Sequence, residues 1–148
     1  MKKIVICMNA DNKSFETLPE IEKQIDLSDA QVYLMHTWSV EAYPLEDHHV
    51  AAFYPNKEQA NSITEKMQAS LHKQAARFKN VKAENFKVEV RTSPSPKRET
   101  VNYLNEHNID LVVVLTPQKD KLKNFFHSSF TNYLAAHAPC DLLMIRQK

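Results

Sequence analysis

The side chains best suited to chemistry gather immediately after apolar runs. Asn9-Ala10-Asp11, His36-Thr37-Trp38, Thr92-Ser93 and Thr116-Pro117 each follow a strand-like stretch. Amides, hydroxyls and an imidazole at such places suit hydrogen bonding to a small polar ligand beyond the ends of a sheet. A basic stretch, Lys119-Asp120-Lys121-Leu122-Lys123-Asn124, lies ahead of Ser128 and Ser129. Its lysines could meet a phosphate as point charges, and the two serines could receive it at a helix N-terminus. The plainer expectation, and the one preferred, is a solvated loop followed by two ordinary N-cap serines.

Other constellations carry less. His48 and His49 stand beside Glu46 and Asp47, but adjacent histidines point in different directions. Neither an i, i+4 histidine pair nor a CxxC supports a metal site there. His36 and His137 are expected to be packed or capping residues. Ser128 and Ser129 adjoin His127 without a strained nucleophile elbow, so no nucleophile–base–acid set can be placed and no enzyme is expected. A phosphoacceptor receiver domain is rejected because Thr92 stands where its acid should be. The chain contains no glycine at all, against roughly ten at average usage. That excludes a dinucleotide fingerprint or a Walker loop.

The elements that must position these residues are legible as patterns. Residues 4–8, 32–35 and 111–115 are continuous apolar runs, as expected for parallel strands covered on both faces. Phe86, Val88 and Val90 alternate with Lys87, Glu89 and Arg91, which marks a half-exposed edge strand. Leu142-Leu143-Met144-Ile145 forms a fifth strand. Residues 56–79 carry Ile63, Met67, Leu71, Ala75 and Phe78 at helical spacing. Ser95-Pro96 reads as an N-cap and first-turn proline ahead of Val101 and Leu104. Ser128 and Ser129 read as caps for a helix through Phe130, Tyr133, Leu134 and His137. The first helix is expected to begin at Ser14 or at a Thr17-x-x-Glu20 capping box, with Pro19 imposing a late start or a kink. Without glycine, Asn80 and Asn108 are the expected left-handed residues at helix ends.

The order is therefore β-α-β-α-β-α-β-α-β, which predicts an α/β fold with a doubly wound, five-stranded parallel sheet and helices on both faces. A single domain over residues 1–148 is expected. Residues 39–55, with Tyr43, Phe53 and Tyr54, form a long connection at the ligand end of the sheet. Tyr43, Phe53 and Tyr54, with Trp38, are read as cover for the sheet end or a dimer surface rather than as base-stacking or partner-binding groups. Net charge is +1, so no general field draws nucleic acid or an anionic membrane, and neither partner is expected. No apolar run approaches the roughly 18–20 residues needed to cross a bilayer. The apolar stretch after Met1-Lys2-Lys3 is shorter than the hydrophobic region of a signal peptide, about 7–15 residues. Cys7 and Cys140 are expected as buried free thiols of a reducing cytoplasm.

Taken in order, several segments resemble the universal stress protein family along almost the whole length. A first strand ends at Asn9, where the family has an acidic residue, and a second ends in Leu34-Met35-His36. Pro96 opens the third helix before Asn108-Ile109-Asp110-Leu111-Val112-Val113. The segment from His137 to Arg146 is very similar to the family's last helix terminus and final strand. The resemblance implies strand order 3-2-1-4-5, a cytoplasmic stress-response role and dimerisation, often through the final strand, here Leu142, Leu143, Met144 and Ile145. Many members bind ATP through Gly-x2-Gly-x9-Gly-Ser/Thr after the fourth strand. That register falls here on Leu115, Gln118, Ser128 and Ser129, so only the terminal hydroxyl is kept. The chain thus resembles the branch that binds no ATP and acts without a cofactor, through protein contacts. The alternative is ATP or AMP binding by Asn9, Thr37, Thr116, Lys119, Ser128 and Ser129. In either case Leu115 and Gln118 are expected to place side chains in the phosphate space.

Overall fold

A computed structural model describes residues 1–9, 12–40, 55–116 and 125–147. Its elements are β1 (Lys2–Cys7), α1 (Asn12–Gln24), β2 (Ala30–Trp38), α2 (Lys57–Gln74), β3 (Phe86–Thr92), α3 (Pro96–Glu106), β4 (Leu111–Thr116), α4 (Phe125–His137) and β5 (Asp141–Arg146). The strands form one sheet in the order β3-β2-β1-β4-β5, and every pairing is parallel. The expected fold class, strand order and edge position of β3 are all found.

The middles of the central strands are apolar because alternate residues serve two cores. Ile4, Ile6, Val32, Leu34 and Val113 face one cluster with Phe15, Leu18 and Ile21 of α1 and Leu71 of α2. Val5, Cys7, Tyr33, Met35, Val112 and Val114 face the other with Tyr103 and Leu104 of α3 and Leu134 of α4. Edge strand β3 contributes Val88 to the first core, while Lys87, Glu89 and Arg91 turn to the α3 side.

Four helix ends differ from expectation, each for a physical reason. Helix α1 starts at Asn12, and Thr17 sits inside it with its hydroxyl donating to the Lys13 carbonyl at 2.9 Å, so no capping box forms. The earlier start brings Phe15 into the core beside Leu18 and Ile21, and Pro19 is carried within the helix. Helix α2 stops at Gln74, its Asn56 capping box intact, and a 3₁₀ turn over Ala75–Arg77 follows. Phe78 then leaves in an extended conformation, and the Glu22 carboxylate accepts from the N–H groups of Lys79 and Asn80. Asn80 therefore needs no left-handed turn.

Ser95 precedes Pro96 as expected, but its side chain makes no cap; its carbonyl takes the Glu99 N–H, and Ser93 Oγ takes its own N–H. Helix α4 begins at Phe125, which places Ser128 and Ser129 within its first turns rather than at its cap. Serine's weak helix preference does not prevent this.

Asn108 does what a glycine would ordinarily do. It has φ of 51°, the one positive φ among the described residues. Ile109 N–H reaches the Leu104 carbonyl at 3.1 Å and Asn108 N–H the Asn105 carbonyl at 3.2 Å, closing α3 in a Schellman motif. Lys3 then latches the turn: its N–H donates to Asp110 Oδ2, and its Nζ donates to the His107 carbonyl. Replacing Asn108 by Ala is expected to lower stability in urea denaturation by a fraction of the roughly 1–2 kcal/mol left-handed penalty, since both residues carry a Cβ and only the local polar contacts of Asn are lost. Asn108→Gly should stay close to wild type.

Candidate functional site

The carboxyl ends of β1, β2 and β4 bring three of the residues singled out by sequence to one end of the sheet. Asn9 follows β1 and is half-buried. The neighbouring Met8 carbonyl accepts from His36 Nδ1 at 2.8 Å, which fixes Nδ1 as the protonated nitrogen in that bond. His36 is thus a packed residue holding two strand ends together.

The hydroxyls of Thr37 and Thr116 are both engaged inside the fold. Thr100 Oγ1 donates to the Pro96 carbonyl at 2.8 Å, so in the 3.4 Å Thr37–Thr100 contact the proton comes from Thr37. Thr116 Oγ1 donates to the Ile145 carbonyl at 3.4 Å. Beyond β5, Gln147 N–H donates to the Thr116 carbonyl at 2.8 Å and its Nε2 to Ser14 Oγ at 3.3 Å, so the chain end is tied across β4 to α1. Trp38 Nε1 donates to Thr64 Oγ1 at 3.2 Å, and Thr64 meets Thr92 Oγ1 at the same distance. This relay pins α2 to the ends of β2 and β3.

Of the remaining residues named for a phosphate site, only the side chain of Ser129 lies within the described residues. Ser129 is exposed on α4, in the fifth position of the helix. Ser128 belongs to the same turns, with its side chain outside the described residues, as are Lys119, Gln118 and the histidine pair at 48–49. Leu115 corrects one expectation: it packs against the α1-side core and pairs with Ile145, so its side chain does not enter a phosphate space. A shallow hollow lined by Lys57, Glu58, Asn61, Ser62 and Glu65 lies on α2 and not at these strand ends. Among the described residues no group of histidine, cysteine and carboxylate side chains could hold a metal ion.

On the opposite flank, β5 is an edge strand. Leu142 and Leu143 are half-buried, Met144 is 58% exposed, and Ile145 is buried in the α1-side core. Sequence reasoning overlooked a polar group at the other edge, where Arg91 meets Glu89, Glu99 and Tyr103. Its one signal was the Lys87-x-Glu89-x-Arg91 alternation, which reads equally well as a solvated face.

Both cysteines are free, Cys7 buried and Cys140 half-buried. Burial, with a smaller contribution from Cys140, pushes the Cys7 thiol from 9.0 up to about 12. Burial also raises Cys140. His137, which is exposed, donates through Nδ1 to the Tyr133 carbonyl and stacks on that ring at 4.1 Å, a capping role as expected.

A five-stranded 3-2-1-4-5 parallel sheet with hydroxyl and amide groups at the ends of its inner strands defines a class of α/β proteins built around a strand-end crevice. Within that class the chain belongs to the universal stress protein family, whose sequence profile it matches over residues 1–146. Among solved structures, a hypothetical protein superposes with a TM-score of 0.72 at 18% identity, covering 99% of this chain and 96% of that one. UspA from Lactobacillus plantarum gives 0.61 at 21% identity, with 98% and 97% covered. A family protein from Arabidopsis thaliana with AMP bound gives 0.58 at 16% identity, with 100% and 93% covered. No curated protein sequence matches the chain.

The raised Cys7 value makes a pH prediction. Folding favours the protonated thiol, so its contribution is complete below about pH 9 and is lost as pH rises toward 12. The urea midpoint of the wild type should therefore fall more steeply across that window than the midpoint of Cys7→Ala. Equal slopes would contradict the assignment.

Proposed function

We propose that the chain is a non-catalytic stress-response protein of the cytoplasm that acts as a homodimer through protein contacts and does not hold ATP in the glycine-loop manner. One observation carries the reading: the strand-end hydroxyls of Thr37 and Thr116 already donate their protons within the fold. Phosphate and ribose-phosphate oxygens are acceptors, so they need donors that these two groups no longer offer.

Strand β5 supports the dimer. Its outer edge has no proline, and residues 142–145 carry no charge to discourage pairing. An antiparallel two-fold pairing centred between Leu143 and Met144 sets Asp141 of each copy opposite Arg146 of the other. The strand is thus self-complementary in charge as well as shape, as an isologous contact requires. Cross-strand pairs of opposite charge contribute roughly 0.2–1 kcal/mol each, and like charges oppose pairing by similar amounts.

Sedimentation velocity should report a dimer at micromolar concentration. Asp141→Arg and Arg146→Asp should each shift it toward monomer, and the double exchange should restore it. A wild-type monomer, or a dimer indifferent to both single changes, would defeat the proposal.

A second reading, AMP or ATP binding, is favoured by the AMP-bound Arabidopsis relative of the same fold. It would rely on Asn9, Lys119, Ser128 and Ser129 in place of glycine N–H groups. Isothermal titration with AMP and ATP separates the two, and no binding tighter than about 50 µM, or 5.9 kcal/mol, is expected. Tighter binding that Ser129→Ala or Lys119→Ala abolishes would establish the second reading instead.

A further inference from the structure

Arg91 lies on edge strand β3, beside Thr37 in the β2–β3 register and beneath α3. Its Nη1 donates to Glu99 Oε1 at 2.9 Å, and its guanidinium stands 4.8 Å from the centre of the Tyr103 ring. Its Nε is buried and has no hydrogen-bond partner, for Glu89 Oε2 lies 3.7 Å away. That separation is too long for a direct hydrogen bond, and it suits one bridging molecule.

Tyr103 shares the condition. The residue is 1% exposed, and its hydroxyl is buried with no partner. Burial, reinforced by the Glu89 charge, raises the phenol, which keeps it an O–H donor. A buried donor left unmet is costly, and the partly exposed side chains of Arg91 and Glu89 leave a way for solvent to reach these two donors.

We infer that the β3–α3 junction binds one ordered water that joins Arg91, Tyr103 and Glu89. The chemistry selects water over other guests. The guest must accept from Nε–H and Oη–H, and it gains by donating to the Glu89 carboxylate. An anion would accept, but Glu89 and Glu99 together outweigh the single charge of Arg91 and would repel it. A cation would satisfy Glu89 and leave both donors unmet. Buried waters of this kind make about three hydrogen bonds to groups that are otherwise unsatisfied.

The test is a crystal structure of the intact chain at a resolution that orders water, with Tyr103→Phe as its partner. The wild type should show a single water-sized peak within about 2.7–3.2 Å of both Arg91 Nε and Tyr103 Oη. In Tyr103→Phe, which keeps the ring, the peak should weaken or vanish while Arg91 stays on Glu99. Should the variant fail to fold, NMR of the wild type decides: an Arg91 Hε cross-peak to a long-lived water is expected. A dry junction in the wild type, a direct Arg91 Nε–Glu89 bond, or density larger than a water would overturn the inference, as would a slowly exchanging Hε with no such cross-peak.

Discussion

A parallel sheet must be covered on both faces, and that requirement organises the rest of the molecule. The inner strands β1, β2 and β4 send alternate side chains into two cores, so they are apolar over 4–7, 32–35 and 111–115 and polar only toward their ends. Polarity is then concentrated where cover stops, at the strand ends and the two edges. The edges are treated differently. Edge β3 bears Lys87, Glu89 and Arg91, and their charges and ring contacts keep other strands away. Edge β5 carries its charges only at Asp141 and Arg146, and between them stands exposed Met144. One edge is charged along its length and the other only at its two ends.

The absence of glycine adds a second constraint on the backbone. A left-handed residue with a Cβ is disfavoured, so the described residues include one, Asn108, supported by the Schellman bonds and the Lys3–Asp110 latch. Beyond α2 the 3₁₀ turn ends on extended Phe78, and a side chain supplies what a tight turn would have done. That side chain is Glu22, which receives the N–H groups of Lys79 and Asn80.

Much of this was legible in the sequence because periodicity reports burial directly. The runs at 4–8, 32–35 and 111–115 and the alternation at 86–91 need only the two-core rule. Helix starts were less legible, since local signals and tertiary demands disagree there. Thr17 and Glu20 have the chemistry of a capping box, yet the burial of Phe15 pulls the start of α1 back to Asn12. The candidate site was legible in position but not in partners. Thr37 meets Thr100, 63 residues away, and Thr116 meets Ile145, 29 residues away, and no pattern along the chain announces such pairs. The Arg91–Tyr103 junction was hidden for the same reason: its members look like a solvated strand face and an ordinary helical tyrosine.

Those distant partners change what the missing glycines mean. A glycine loop serves phosphate by presenting backbone N–H groups at close range, and its loss need not matter if side chains supply donors instead. At the strand ends the available hydroxyls turn inward. Thr37 helps fasten α3, Thr116 fastens β5, and Gln147 carries that fastening across to α1. Leu115 points the same way, packing into the core and tightening β4 against β5. Within the described residues the replacement at Leu115 thus adds apolar contact to the β4–β5 flank of the sheet.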